Sequence, residues 1–250
     1  MRIAFDLDGV FADMEGALAR EAKALFGTVE ESETGSDIVE SAGSARAGCH
    51  AEAETARADR KNELPPVRLP ITARQQRRLW KHVETIDNFW ETLDEIEPGS
   101  LARLSALSAS RQWEIIFLTR RPGSAGATAQ VQSQRWLKAK GFAWPSVFVV
   151  QGSRGRIAAA LALDLVVDDT PENCLDVVVD SKARSILVWR DEHNAPPIAA
   201  KRLGIGVVKS VEECLDILSQ VDSSSHEGVV DRVKRLLGVQ RRRRTAKTEA

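Results

Sequence analysis

Two carboxylates stand one residue apart where an apolar run near the start of the sequence ends. The run MRIAF is followed by Asp6, Leu7, Asp8 and Gly9. On a strand, Asp6 and Asp8 would point to the same face, where like charges raise one pKa or attract a cation. Gly9 allows a sharp turn or a close approach of the backbone to a ligand. The stretch therefore predicts either a metal or phosphate site, or an acidic turn that only ends a strand.

Polar side chains also follow two later apolar runs. Thr119, Arg120 and Arg121 come at the end of the run EIIFL, and Asp168 and Asp169 come after LVV. If these runs are parallel strands, their carboxyl ends share the edge of the sheet at which open α/β sheets bind ligands. Carboxylates and a hydroxyl would then converge, which favours a functional site over independent acidic turns.

The chemistry of such a set fits phosphoryl transfer. Mg²⁺ prefers carboxylate and carbonyl oxygens and keeps water and a substrate phosphate around it. One carboxylate can attack phosphorus and form an aspartyl-phosphate, while its neighbour protonates the leaving oxygen and then activates water. A threonine hydroxyl can hold the phosphoryl oxygens, and a further cation is needed for the charge of the transferring group.

The elements that must position these residues can be predicted from the alternation of patterns along the chain. A helical pattern covers residues 13–26, after the first strand. After Pro98, helical patterns alternate with the apolar runs WEIIFLT, SVFVV, DLVVDD, SILVW and IGVV. Alternating helices and strands indicate βαβ units and a mostly parallel sheet. The predicted fold class is therefore α/β.

The composition is that of an ordinary soluble chain. Its 250 residues are 43% hydrophobic and 28% charged, with a net charge of −1. This charge balance gives no global attraction to nucleic acid or membrane, and no apolar run is long enough to span a bilayer. Cys49, Cys174 and Cys214 are widely spaced, so we predict no disulfide framework and a reducing compartment. We expect a cytoplasmic protein without a membrane partner.

The composition changes between the first helix and the regular α/β pattern. Residues 29–70 contain few large apolar side chains, so we expect a loose or disordered segment inside an insertion over 13–97. The catalytic core then comprises 1–12 and 98–222. The remaining tail, 223–250, carries four consecutive arginines. We expect this basic tail to be mobile and solvated, and we do not expect a nucleic-acid partner.

Three short stretches resemble a known family. FDLDGV, FLT and VVDD, in this order, resemble the first, second and fourth motifs of the haloacid-dehalogenase-like (HAD) phosphohydrolase superfamily. The resemblance implies a Rossmann-like, doubly wound parallel sheet of order 5-4-1-2-3, with a helical, partly disordered cap inserted after the first strand. It also implies that Asp6 is the nucleophile and Asp8 the general acid/base. Since an acid at the second position separates the phosphatases from the dehalogenases of the superfamily, we expect a phosphatase.

The same resemblance implies a cofactor and its ligands. Mg²⁺ would be held by Asp6, by the backbone carbonyl of Asp8 and by Asp168, with Asp169 acting directly or through water. Thr119 would bind the phosphate.

The third motif of the family departs from the pattern. It is usually a lysine, which the stretch QGSRGRIAAALALDLVVDD lacks. Arg156 is our candidate for the missing charge, with Arg154 as the weaker alternative. Alternatively, both arginines lie on the solvated start of a helix.

A narrower resemblance concerns the substrate. NFWETLDEIEPGS, TRRP and DDTPENC resemble the 5′(3′)-deoxyribonucleotidase (type C nucleotidase) branch. The resemblance implies that Phe89 and Trp90 line a nucleoside pocket, where aromatic faces stack on the base. Alternatively, both side chains pack the insertion onto the core. We assign Gly9, Arg120, Phe89 and Trp90 to substrate binding.

The sequence therefore predicts a Mg²⁺-dependent phosphomonoester hydrolase that works through an aspartyl-phosphate. Its substrate would be a small phosphorylated metabolite, with a (deoxy)nucleoside monophosphate as one candidate. Two alternatives stay open: a catalytically weakened HAD-fold binding or regulatory protein, and a nucleic-acid-associated phosphatase that uses the Arg-rich tail. Whether the chain forms a homodimer is also left open.

Overall fold

A parallel β-sheet forms the centre of the protein in a computed structural model that describes residues 1–27 and 69–220. Within these ranges the sheet has six strands in the order β3-β2-β1-β4-β5-β6. The predicted order 5-4-1-2-3 is confirmed, and the sixth strand adds to the edge beyond β5. The strands are β1 (Arg2–Asp6), β2 (Glu114–Thr119), β3 (Ser146–Val149), β4 (Leu165–Asp168), β5 (Arg184–Val188) and β6 (Gly206–Val208).

Helices lie in the connections between the strands, and the last described helix follows β6. Over the described residues they are α1 (Met14–Phe26), α2 (Ala73–Val83), α3 (Ser100–Arg111), α4 (Ala129–Ala139), α5 (Arg154–Ala160), α6 (Pro171–Asp180), α7 (Ile198–Arg202) and α8 (Val211–Ser219), with a short 3-10 helix at Phe89–Glu91. Several begin at a hydroxyl cap: Thr128 accepts a hydrogen bond from the Val131 N–H, and Ser153 accepts one from the Arg156 N–H. Such caps satisfy N–H groups that have no partner inside the helix.

The two faces of the sheet are covered by different helices, as in a doubly wound fold. Ile3 and Phe5 of β1 belong to a large hydrophobic cluster with residues of α1–α4 and α8. Ala4 faces the other side, where it clusters with Ala158 of α5 and Val177 of α6. Since alternate side chains of a strand point to opposite faces, a strand buried on both faces must be apolar throughout. The predicted Rossmann-like α/β fold is therefore confirmed.

The first helices of the predicted insertion share the core of the sheet. Leu18 of α1, Leu79 and Trp80 of α2, and Trp90 of the 3-10 helix are all buried in the same cluster as Phe5. These helices thus contribute apolar surface to the hydrophobic core of the sheet, while the domain boundaries stay a prediction. The predicted loose segment, apart from residues 69 and 70, and the basic tail lie outside the described residues.

The strand register brings the chemically interesting residues to one edge. Phe5 of β1 pairs with Phe117 of β2 on one side and with Val167 of β4 on the other. Asp6 and Asp168 follow directly after Phe5 and Val167, and Thr119 lies two residues after Phe117. The carboxyl ends of three neighbouring strands therefore carry polar side chains. In the ranges that the structure describes, no helix has the length and apolar character needed to cross a bilayer.

Candidate active site

Asp6, the last residue of β1, is a buried carboxylate with a charged partner. It is 6% exposed, and the Arg154 Nη2 donates a hydrogen bond to its Oδ1 over 2.6 Å. Burial raises the pKa of Asp6 well above its ordinary value, and repulsion from Asp168, Asp8 and Asp169 adds to this, while Arg154 opposes it. A carboxylate in this position demands nearby positive charge, and Arg154 provides some of it.

Asp168, at the end of β4, is the second buried carboxylate of the site. Its Oδ1 accepts a hydrogen bond from the Thr170 N–H at 2.9 Å, and the Asn173 Nδ2 lies 3.1 Å from both carboxylate oxygens. The Arg154 Nε is 3.7 Å from its Oδ2. Burial raises the pKa of Asp168, and Arg154 and the hydrogen bonds oppose the shift. The site therefore holds two buried carboxylates with one guanidinium next to both.

Arg154, not Arg156, is the arginine that reaches the carboxylates. Arg154 is the first residue of α5 and is 5% exposed, whereas Arg156 is exposed to solvent. Residues two apart on a helix differ by about 200° in direction, so only one of the two can face the sheet. The Arg154 Nε is buried without a hydrogen-bond partner among the described residues. We therefore correct our expectation that the Arg156 side chain lies at the site.

A close contact between α5 and α6 explains why the face of α5 that carries Arg154 is turned toward the sheet. A Cβ added to Gly155 would lie 2.1 Å from the backbone oxygen of Asp176 in α6, so only glycine fits there. The Gly155 N–H donates to the Asp176 carboxylate over 3.2 Å, and Ala158, one turn later, is also buried. The small residues let the two helices touch, and this contact directs Arg154 toward the sheet edge.

Asp8 lies just beyond β1 and accepts hydrogen bonds on both oxygens. The Thr119 hydroxyl donates to its Oδ2 over 2.8 Å. The Arg121 Nη2 donates to Oδ1 over 2.6 Å, and the Arg121 Nε lies 3.1 and 3.0 Å from the two oxygens. The structure therefore brings Thr119 and Asp8 together, as expected, and adds a buried arginine to them.

Arg121 was not assigned to the site from the sequence. Its side chain is fully buried, its Nη1 donates to the Ser133 hydroxyl over 2.8 Å, and its guanidinium carbon lies 5.0 Å from the ring centroid of Trp90 and 6.0 Å from that of Trp136. The substrate-binding residue predicted instead, Arg120, is half-buried. The only signal for Arg121 was its position within two residues of the end of β2, which Arg120 shares.

Position 9 requires a glycine, both because of its backbone conformation and because of the nearby Asp169 carboxylate. Its φ is +80°, and a Cβ there would lie 2.2 Å from the Asp169 Oδ2. The Asp169 Oδ1 in turn lies 3.3 Å from the Thr170 hydroxyl. The structure therefore places Asp169 against the turn that follows β1, so all four predicted carboxylates lie at the same sheet edge.

Arg190 fixes the other side of this turn. Its guanidinium donates to the carbonyl oxygens of Gly9 and Val10 and to the Glu97 Oε1, the last over 2.5 Å. The Glu97 carboxylate also accepts from the backbone N–H groups of Val211 and Glu212, each over 2.8 Å. Although partial burial opposes the shift, these hydrogen bonds lower the pKa of Glu97. The turn that carries Asp8 is thus tied to the start of α8.

The aromatic rings of Phe89 and Trp90 are not accessible to a nucleoside in this structure. They are 2% and 0% exposed, respectively, and their rings pack edge to face, 5.0 Å apart. The Trp90 indole N–H donates to the Pro122 carbonyl over 3.0 Å, and its ring lies 6.4 Å from that of Trp80. The expectation that they line the substrate pocket is therefore corrected, and their observed role is packing.

The carboxylates fit Mg²⁺ by their chemistry. Over the described residues, no group of three or more His, Cys, Asp or Glu side chains is arranged to hold a metal ion. The oxygen-only donors at this edge are nevertheless of the type that Mg²⁺ prefers, since it is usually bound by one or two carboxylates together with water and substrate phosphate. The raised pKa values of Asp6 and Asp168 also indicate that positive charge is in demand.

Comparison with known proteins gives only distant structural likenesses. No protein-family model and no curated protein matches the sequence. The chain is similar to a solved haloacid dehalogenase-like family hydrolase from Xanthomonas campestris, with 13% identity over 96% of this chain and 98% of that chain and a TM-score of 0.43. It is also similar to a hydrolase from Pseudomonas syringae, with 17% identity over 88% and 99% of the chains and a TM-score of 0.48. Likenesses of this size say nothing about activity.

Proposed function

We propose that the chain is a phosphomonoester hydrolase of the HAD type, which uses Asp6 as its nucleophile and Mg²⁺ as its cofactor. The observation that carries the proposal is the buried pair of Asp6 and Arg154, 2.6 Å apart at the carboxyl end of the central strand, with Asp8 beside it. A carboxylate held by a cation at such an edge is suited to attack a dianionic phosphate, because the cation offsets the repulsion between the two.

In the first step, an Asp6 oxygen attacks phosphorus and the bond from phosphorus to the leaving oxygen breaks. Asp8 gives its proton to that oxygen, so the product leaves as an alcohol and Asp6 carries the phosphoryl group. In the second step, Asp8 takes a proton from water, the water oxygen attacks phosphorus, and inorganic phosphate leaves with Asp6 restored. General acid/base help of this kind contributes about two to four powers of ten in rate.

Two further residues stabilise the transferring group. The Thr119 hydroxyl lies at the end of β2 and can donate to a phosphoryl oxygen. The Arg154 Nε, which is buried without a hydrogen-bond partner among the described residues, is a donor that a phosphoryl oxygen could satisfy. We therefore assign to Arg154 the role that a lysine usually has in the third motif of the family.

The Mg²⁺ would be held by Asp6, the backbone carbonyl of Asp8, Asp168 and Asp169. When bound, it supplies positive charge to the phosphoryl oxygens. Neighbouring residues orient the carboxylates that would hold the ion: Asn173 and the Thr170 N–H direct the Asp168 carboxylate, and Gly9 lets Asp169 approach the turn.

The substrate class is a small phosphorylated metabolite. The nucleotide candidate loses its main support, since Phe89 and Trp90 are buried. The weakened-enzyme alternative rested on the absent lysine and on the loose insertion, and the contact between Arg154 and Asp6 argues against the first of these grounds. The alternative with the basic tail concerns residues outside the described ranges.

The test is a phosphatase screen of the purified full chain. Sugar phosphates, nucleoside monophosphates and 4-nitrophenyl phosphate are offered with Mg²⁺ and with EDTA, and released phosphate is measured. We expect turnover with Mg²⁺ only, and none for Asp6→Asn. Asp94→Asn, which removes an exposed carboxylate paired with Arg20, serves as the matched control and keeps the wild-type rate. Full activity in EDTA, or unchanged activity of Asp6→Asn, would contradict the proposal.

A further inference from the structure

We propose that Arg121 is a positioning residue, whose guanidinium holds the Asp8 carboxylate in a fixed direction throughout the reaction. The inference rests on the proposed function, because it gives a role to a residue that acts through the general acid/base. It concerns the buried ion pair between the Arg121 guanidinium and the Asp8 carboxylate.

The contact fixes both ends of the pair. Arg121 donates to both Asp8 oxygens, and its remaining terminal nitrogen, Nη1, donates to the Ser133 hydroxyl. Ser133 in turn donates to the Ala129 carbonyl over 2.7 Å, so its oxygen lone pairs face the arginine. A guanidinium is a rigid planar fork, and a two-point contact with a carboxylate fixes direction as well as distance.

Two indole rings pack against the Arg121 guanidinium. The Trp90 and Trp136 rings lie within 6.0 Å of its central carbon, a distance at which ring quadrupoles attract a cation. Each indole is itself fixed by a hydrogen bond, from Trp90 to the Pro122 carbonyl and from Trp136 to the Leu93 carbonyl. The arginine therefore has little freedom to move, and neither has the carboxylate that it holds.

Thr119, which also donates a hydrogen bond to Asp8, cannot by itself hold the Asp8 carboxylate in a fixed direction. The Thr119 hydroxyl has a single proton, which it donates to the Asp8 Oδ2 in this structure. If that proton turns to a phosphoryl oxygen, as its proposed role requires, Asp8 loses this hydrogen bond. Arg121 then remains to keep Asp8 in place. The two residues thus divide the tasks of binding phosphate and positioning the acid/base.

Direct contact of Arg121 with the substrate is not the alternative, because its Nε and both terminal nitrogens already donate to Asp8 and Ser133. A purely structural role is the alternative, and kinetics can separate the two. An alkyl phosphate has a poor leaving group that needs the proton of Asp8, whereas 4-nitrophenolate leaves without one. Disturbing Asp8 should therefore reduce kcat/KM, which reports on the first irreversible step, far more for the alkyl substrate.

The kinetic experiment compares Arg121→Met with Arg121→Lys and with Arg135→Met. We expect Arg121→Met to lower kcat/KM at least about tenfold for an alkyl phosphate and less than about threefold for 4-nitrophenyl phosphate. Arg121→Lys keeps the charge but loses the two-point contact, and should fall between wild type and Arg121→Met. Arg135 lies exposed on the same helix as Ser133 and pairs with Glu91, so its replacement should leave both rates unchanged.

Two outcomes decide the kinetic test. In an Asp8→Asn background, Arg121→Met should cost less than about twofold more, because its effect acts through Asp8. Equal losses on both substrates, persisting in the Asp8→Asn background, would overturn the proposal and assign Arg121 a structural role. If the wild-type chain hydrolyses no phosphate at all, the proposed function fails, and the inference is then judged by stability alone.

Stability provides a readout that does not need activity. The urea unfolding midpoints of wild type, Asp8→Asn, Arg121→Met and the double variant form a cycle. If Arg121 holds Asp8, the midpoint of the double variant lies above the value expected from adding the two single losses, because each single variant leaves a buried partner without its counterpart. Additive midpoints would mean that the two groups are not coupled, and would overturn the proposal whatever the activity.

Discussion

The guanidinium of Arg154 lies between the carboxylates of Asp6 and Asp168, 2.6 Å from one and 3.7 Å from the other. Both acids are buried, so this arginine offsets negative charge that would otherwise stand close together in a poorly solvated place. The same position would let it face a transferring phosphoryl group.

Arg154→Ala should lower kcat/KM at least tenfold, which corresponds to roughly 1.4 kcal/mol or more of transition-state stabilisation. Arg154→Lys should retain much of the activity, because an ammonium also supplies the charge. Arg156→Ala is the matched control: it removes an arginine two residues away, on the exposed side of α5. Steady-state kinetics at a fixed Mg²⁺ concentration measure all three, and circular dichroism checks the fold. Equal losses for Arg154→Ala and Arg156→Ala would contradict the assignment.

Asp6→Asn should abolish turnover, since the amide keeps the shape of the side chain but cannot act as the nucleophile. Asp8→Asn should be severe but incomplete, because it removes only the proton transfer. Mass spectrometry after rapid acid quench supplies the direct measurement: a phosphorylated adduct should be found on the wild-type peptide that contains Asp6 and be absent from Asp6→Asn. An adduct on a different peptide would identify another nucleophile.

Gly9→Ala should destabilise the protein by about 1–3 kcal/mol and impair activity, because an alanine at φ +80° is strained and its Cβ would overlap the Asp169 carboxylate. Two controls separate these causes. Gly99 has φ +92° with open space around it, so Gly99→Ala carries the strain without the overlap. Gly123 has open space without a positive φ. Urea denaturation should rank the losses Gly9, Gly99, Gly123 in decreasing order.

Glu97→Gln should lower stability at neutral pH by about 1 kcal/mol, because the carboxylate accepts hydrogen bonds from Arg190 and from two backbone N–H groups. The pKa of Glu97 is lowered by folding, so its contribution is fully present above the ordinary pKa of about 4.3 and is lost as the pH falls through the folded value. The difference between wild type and Glu97→Gln should therefore shrink below about pH 4.

Glu84→Gln, at an exposed glutamate after α2, is the comparison for this test and should change stability by less than about 0.5 kcal/mol at neutral pH. Unfolding free energies measured from pH 7 to pH 3 would decide the matter. A difference between wild type and Glu97→Gln that stays constant over this range would show that the carboxylate charge is not what Arg190 recognises.

The sheet edge could be predicted because strand ends carry a strong local signal. Asp6, Thr119 and Asp168 each close an apolar run, and parallel strands bring such ends together without any knowledge of packing. The α/β fold class followed from the alternation of the same patterns, whereas the strand order was implied by the resemblance to the HAD superfamily. For these residues, chemistry and position were visible in a few adjacent letters of the sequence.

The arginines could not be assigned in the same way. Choosing between Arg154 and Arg156 required the start of α5 and its contact with α6, and the decisive residue, Gly155, packs against a helix that lies about twenty residues further along the chain. The roles of Arg121 and Trp90 follow from the contact between the guanidinium and the indole ring. Without that contact, neither residue stands out in the sequence. The direction of these arginine side chains is set by packing between segments that are distant in the chain, so it cannot be predicted from the spacing of residues in the sequence.

The central place of β1 has a consequence for how the chain folds. Residues 2–6 pair on one side with a strand that begins at Glu114 and on the other with one that begins at Leu165. Such non-local pairing slows folding, because long loops must close before their contacts form. During synthesis, this apolar segment leaves the ribosome long before either neighbour exists. Nascent chains that end before Leu165 therefore expose one side of their central strand, and we expect them to need a chaperone.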